Sequence, residues 1–253
     1  MTNILEVKKI NKSLFINGTE KILLKDINLI IQKGEFICIA GPSGCGKTTI
    51  LELIAGFQQP DNGMVLQENR KISKPESSRI MIFQDFNQLF PWKTTYENIK
   101  FPLKKLRKNL SDPEMDVMVG NALKMVKLGD YGSYYPHQLS GGMKQRAAIA
   151  RALVLNPEIL LMDEPFGSLD AQTRSQLQML LADIWGETGV TIIFVTHDIQ
   201  EAILLADRIV IMDKNPGSIK TVIKNDIPKP RNIMGNECMA VYGKILNMLK
   251  NNE

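Results

Sequence analysis

Only three cysteines, Cys38, Cys45 and Cys238, and two histidines, His137 and His197, occur among the 253 residues. They form no CxxC pair and no metal-like cluster, so unpaired thiols in a reduced cytosol are expected. No apolar run approaches the ~18 residues of a membrane span. The strongest, Phe36 to Ala40 and Ile192 to Val195, are short and end at glycine or polar residues. The start, MTNILEVKKINK, lacks the basic, apolar and small-residue order of a signal peptide, which predicts a cytoplasmic chain. The excess of 31 basic over 27 acidic residues is too small to argue for a nucleic-acid partner. No internal repeat and no low-complexity linker is present. What remains is ordinary for a soluble globular protein: 44% apolar, 23% charged and 6% aromatic residues, which exclude disorder and collagen-like repeats. The length fits one or two domains, including one large α/β domain.

The first third reads as strands at Ile4 to Ile10, Ile27 to Ile31 and Phe36 to Ala40. The last is continuously apolar, as expected of a strand buried on both faces at the centre of a parallel sheet. Thr48 to Ala55 reads as a helix closed by Gly56, and the turn at Gln59 to Gly63 leads to more strand up to Phe83. From about Asn87 to Pro136 helical stretches dominate, one of them opened by Ser111 with Pro113 and Glu114 in its first turn. Alternation then returns, with helices at 142–154, 171–186 and 199–206 and strands at 158–163, 190–196 and 208–213. This order fits an α/β sheet interrupted by a helical insertion.

Gly41-Pro42-Ser43-Gly44-Cys45-Gly46-Lys47-Thr48, followed by Thr49, matches GxxxxGK[ST] between the buried strand and the helix. The glycines let backbone N–H groups face a phosphate, the helix adds its positive end and Lys47 adds a full charge, leaving the Thr48 hydroxyl for Mg²⁺. Cys45 reads as a small residue tolerated in the loop. Ile159-Leu160-Leu161-Met162-Asp163-Glu164 places two carboxylates at the end of a buried strand. Asp163 is placed to hold Mg²⁺ through its water shell, and Glu164 to accept a proton from a water attacking the γ-phosphate. Seen alone, such a pair also fits a solvated turn.

Leu139-Ser140-Gly141-Gly142-Met143-Lys144-Gln145 resembles the LSGGQ signature of the ATP-binding cassette family. Physically it is a second helix start, with a hydroxyl and bare glycine N–H groups, and a plain N-cap is its alternative reading. The resemblance covers nearly the whole chain. It implies an α/β P-loop NTPase (RecA-like) parallel-sheet core, an N-terminal antiparallel β subdomain and an inserted α-helical subdomain. The whole is expected as one cassette over 1–253: core about 1–86 and 158–230, helical subdomain about 87–157 and a C-terminal helix about 236–250. It further implies a head-to-tail homodimer, with ATP clamped between Lys47 of one copy and Ser140, Gly141 and Gly142 of the other. Gln84, 37 residues after Lys47, matches the Q-loop glutamine that joins the Mg²⁺ shell. Ser168-Leu169-Asp170 resembles the D-loop, and His197, 34 residues after Asp163, the switch histidine. Phe15 is the candidate A-loop aromatic for stacking on adenine, with Asn17-Gly18-Thr19 as a small insertion after it. A core Phe is the other reading.

Three functional readings compete. Pro165 to Arg174, with Leu89-Phe90-Pro91-Trp92-Lys93-Thr94-Thr95, resembles the nitrate, sulfonate and taurine importer group, and His197 to Ala202 agrees with importers more broadly. That resemblance implies an ATPase peripheral to the cytoplasmic face of the cell membrane. Its partners would be integral permease subunits, with a solute-binding protein acting indirectly. A soluble cassette ATPase acting on ribosomes or DNA would carry two cassettes or a long coiled coil. An unrelated P-loop kinase or GTPase would leave the signature accidental, and the only NKxx stretch, Asn11 to Leu14, has no Asp.

Overall fold

Buried and exposed positions alternate along the second half of the segment Thr19–Gln32, which places Ile27, Leu29 and Ile31 in the core, and Leu24 before them is buried as well. The structure is a computed structural model describing residues 2–16, 18–84 and 88–250, the side chains of Ile16, Leu249 and Lys250 excepted. Asn17 of the expected insertion, Asn87 at the expected edge of the helical stretch and the side chain of Leu249 lie outside the described residues. The chain divides into two compact units, one of Met1–Pro75 with Thr191–Glu253, the other Glu76–Val190.

In the first unit, β1 (Asn3–Ile16) pairs antiparallel with β2 (Thr19–Gln32) and β4 (Asn62–Gln67), and β4 with β5 (Arg70–Lys71). Both long strands run well past the segments expected of them. Lys9 and Asp26 take left-handed φ of 48° and 49°, and asparagines satisfy these bulges: Lys9 N donates to Asn28 Oδ1 and Asp26 N to Asn11 Oδ1. β3 (Phe36–Ala40) pairs in parallel with β8 (Thr191–Thr196) and β9 (Arg208–Asp213). Every residue of β3 and β8 is buried, as a sheet centre requires. β10 (Ser218–Lys224), for which no strand is expected from the sequence, closes this edge antiparallel to β9. α1 (Lys47–Ala55) follows β3 and ends at left-handed Gly56. α6 (Ile199–Leu205) connects β8 to β9, and α7 (Asn236–Lys250) packs on it, burying Cys238 and Ile245.

In the second unit, β6 (Arg79–Ile82) and β7 (Ile159–Asp163) are parallel neighbours. α2 (Thr95–Leu106), α3 (Asp112–Met125) and α4 (Gly141–Leu153) pack together, and α5 (Ala171–Thr188) packs on α4. Capping sequences open two of these helices. Glu97 Oε2 accepts from Thr94 N, and Glu114 Oε2 from Ser111 N. Lys100 of α2 bridges Asp116 and Asp112 of α3. Of the later elements, β9 has the bounds its sequence predicts, and the helix and strand ends around it shift by one or two residues.

Candidate active site

Because β3 is buried along its length, the chain leaves it at a fixed point. A Cβ at Gly41 would lie 2.9 Å from Met212 O and 3.1 Å from Cys45 Sγ, so only glycine lets the loop start this close to β9. Gly44 and Gly46 take φ of 79° and 93°, which glycine enters without a Cβ penalty. Lys47 Nζ is buried and donates to Gly41 O at 2.9 Å and Pro42 O at 3.1 Å. An ammonium has three donors, so one remains for an anion. α1 has no side-chain cap, and Ile50 N, reaching Gly46 O, makes its first backbone bond. The N–H groups of Lys47, Thr48 and Thr49 therefore have no partner within the helix. Together these features make a phosphate cradle. Cys45 is 1% exposed, and burial pushes its thiol above the usual range, in keeping with a packing residue.

His197 follows the last residue of β8 and lines a cavity of about 380 Å³ with Gly41, Pro42, Ser43, Asp213 and Asn215. The phosphate loop and the histidine therefore face one space. A smaller cavity of about 140 Å³ lies on the Gly44 side, lined by Leu14, Ile22, Leu23, Asn215 and Gly217. Phe15 is 79% exposed and lines neither cavity, whereas its neighbour Leu14 lines the second. Successive strand residues point to opposite faces.

The turn after β9, Asp213 to Gly217, is a site element that the sequence reading missed. Its dense turn residues, Asp213-Lys214-Asn215-Pro216-Gly217, were the available signal. Gly217 N donates to Leu23 O, Lys25 N donates to Gly217 O, and a Cβ at Gly217 would lie 2.1 Å from Cys45 O. Gly217→Ala is therefore expected to cost about 1–3 kcal/mol of stability and to raise the KM for ATP by displacing the loop. Urea unfolding and ATPase assays read both, and a variant matching the parent in each would remove this wedge from the loop's support.

The second unit holds the acidic pair. β7 ends at buried Asp163, and Glu164 takes a left-handed φ of 42° with Gly167 N donating to its carbonyl at 3.2 Å. Such a conformation costs about 1–3 kcal/mol in a non-glycine residue and is retained where the surroundings fix it. A Cβ at Gly167 would lie 3.8 Å from Gln84 Nε2 and 3.9 Å from Glu164 Oε2. The glutamine amide and the carboxylate thus flank the same glycine.

Ser140 caps α4, its Oγ accepting from Met143 N at 3.3 Å, and Ser140 and Gly141 are exposed. A Cβ at Gly142 would lie 2.4 Å from Thr173 Cγ2, and one at Gly141 3.5 Å from Leu169 Cδ2. The start of α4 therefore packs against the Ser168-Leu169-Asp170 turn, where Asp170 Oδ1 accepts from Thr173 N and caps α5. That backbone donor holds the Asp170 carboxyl below its usual range. In the first unit Thr48 offers a hydroxyl, and in the second Gln84 offers an amide and buried Asp163 a carboxylate, each an oxygen donor of the kind Mg²⁺ takes. Among the described residues no group of three or more His, Cys, Asp and Glu could hold a metal ion.

Residues 24–167, more than half of the chain, match the ABC transporter family. An aliphatic sulfonates import ATP-binding protein of Bacillus cereus is 44% identical over 92% of this chain and 90% of its own length. A nitrate import ATP-binding protein of Synechococcus elongatus is 46% identical over 83% of this chain and 77% of its own. A solved dimeric, post-hydrolysis state of an ATP-binding cassette bound to ADP and Pi is 34% identical, with a TM-score of 0.75 over 90% of this chain and 100% of that one. With a phosphate cradle in one unit, a signature turn and acidic pair in the other, and likeness along nearly its whole length, this chain belongs to the ABC transporter family of ATP-binding cassette ATPases.

Proposed function

We propose that this chain is the ATP-hydrolysing subunit of a multisubunit importer for a small solute of the nitrate, sulfonate or taurine type. Two copies close head to tail on two ATP molecules, and hydrolysis reopens them, driving separate membrane subunits between inward- and outward-facing states. A solute-binding protein delivers the solute, and the chain sits peripherally on the cytoplasmic face of the cell membrane. The observation that carries the reading is the cradle at Gly41 to Thr49, with its uncapped helix start and buried Lys47, on the same chain as the exposed helix start at Ser140. The relatives named for sulfonate and nitrate import support the importer branch.

In this reading the chain is one cassette, with the core and helical subdomain bounds given above. Lys47 and the loop N–H groups bind the β- and γ-phosphates, Glu164 takes the proton of the attacking water, His197 orients that water, and Gln84 senses the γ-phosphate. Ser140 to Gly142 of the second copy add a helix end to the γ-phosphate. Thr48, Gln84 and Asp163 would hold Mg²⁺, Asp163 through its water shell, and the bound ion would neutralise charge at the phosphate oxygens. Phe15 is offered for adenine.

Phe90, Trp92 and Phe101 support docking on a membrane subunit. Their rings lie 5.5 Å (Phe90–Trp92) and 4.9 Å (Phe90–Phe101) apart, Arg151 sits over Phe90, and Trp92 is 71% exposed. Co-expressed with its permease subunits, the chain is expected to co-purify in detergent, and Trp92→Ala to lower recovery about tenfold with an unchanged unfolding midpoint. Sedimentation with ribosomes in place of membranes would overturn the importer reading.

A further inference from the structure

The segment that follows β10 grips the far end of α6. Five hydrogen bonds leave the Arg231 guanidinium for backbone carbonyls: Nη1 donates to Ala206 O at 2.7 Å, Ile203 O at 3.0 Å and Leu204 O at 3.4 Å, Nη2 to Asn225 O at 3.1 Å, and Nε to Ile227 O at 2.8 Å. Buried Asn225 adds two more, from Nδ2 to Ile203 O at 2.8 Å and Ala206 O at 3.0 Å. The carbonyls at the end of a helix have no partner inside it, and a cation there is favoured by the helix dipole. A planar fork of donors suits three converging carbonyls in a way a lysine cannot reproduce. Lys229, paired with Asp207 at 2.8 Å, holds the same corner to β3, because Asp207 Oδ2 accepts from Phe36 N.

The other end of α6 holds the histidine. Thr196 Oγ1 donates to buried Glu201 Oε2 at 2.6 Å and accepts from Asp198 N at 2.9 Å, while Asp198 Oδ1 accepts from Gln200 N. His197 lies between Thr196 and Asp198 and opens onto the cavity it shares with Gly41 to Ser43. With seven residues, α6 is about 10 Å long, too short to bend between its two anchors. We propose that Arg231 is a positioning residue for hydrolysis: with Asn225 it clamps the end of α6 and so fixes His197 over the phosphate loop. The proposal rests on the reading of His197 as the residue that orients the attacking water.

The test uses the full chain. Arg231→Lys is expected to lower kcat about tenfold with the KM for ATP within about twofold, since small misplacements of a catalytic group act on the chemical step. Asn225→Ala, which leaves the guanidinium in place, is expected to give the same pattern at smaller size and serves if the lysine variant folds poorly. In a His197→Ala background neither change should lower kcat further, because the clamp acts only through the imidazole. Having two histidines, the chain gives two imidazole resonances, and Arg231→Lys should shift or broaden that of His197 and leave His137 alone. Equal proportional losses in both backgrounds, a KM that moves with kcat, or an unmoved His197 resonance would each overturn the clamp. Full turnover by His197→Ala alone would instead remove the histidine from the reaction, and the resonance would still decide whether Arg231 sets its place.

Discussion

Glu164→Gln is expected to lower ATP hydrolysis by about 10²–10⁴-fold, the contribution of a positioned general base, while leaving ATP binding intact. The amide has the shape of the carboxylate, so it keeps the left-handed turn at φ 42° and its place beside Gln84 across Gly167, but it cannot take a proton from water at neutral pH. Binding with no chemistry should hold two copies closed, and size-exclusion chromatography with ATP should then show a dimer that ADP does not support. Glu164→Gly separates the backbone from the side chain. Glycine enters positive φ freely, so this variant is expected to lose hydrolysis equally while unfolding at no lower denaturant concentration. Full turnover by Glu164→Gln would remove the residue from the base role.

The site residues that the sequence made legible are those whose chemistry is local. A run of five buried residues, three glycines and a lysine can be read from order alone, because strand, turn and helix start are consecutive at Phe36 to Thr49. The same holds for β7 with its two acids and for Ser140 as a cap. The long β1–β2 hairpin was less legible, since polar Lys9 and Asn11 break the alternation and the bulges that absorb them depend on the partner strand. Shifts of register between Ile10 and Lys12 and between Lys12 and Ser13 matter for function as well. A slip of one residue exchanges the faces of a strand, and Leu14, one place before the candidate aromatic Phe15, lines the cavity at Gly44. The turn residues Asp213 to Gly217 signalled a loop, but the carbonyls that Gly217 and Arg231 meet, among them those of Leu23, Ile203 and Ala206, were illegible, because no pattern of side chains announces which carbonyls a fold leaves open.

Ser140→Arg is expected to lower steady-state hydrolysis by about 100-fold, comparable to losing one donor that stabilises developing charge, while the monomer still binds ATP. The separation follows from the proposed roles. In that reading nucleotide binding by one copy uses Gly41 to Thr49, and the Ser140 start of α4, which is exposed, serves the second copy. Part of any effect is local, since Ser140 Oγ accepts from Met143 N and losing an N-cap costs about 0.5–2 kcal/mol. Ser140→Asp distinguishes the two. An aspartate restores the cap, and so the stability, but sets a negative charge against the γ-phosphate, so its hydrolysis should fall as far as that of the arginine variant. Adding Ser140→Arg to Glu164→Gln should also abolish the ATP-held dimer on sizing. If Ser140→Arg hydrolyses ATP at the parent rate, or the double variant still dimerises, the second copy does not share the site and each chain completes its chemistry alone.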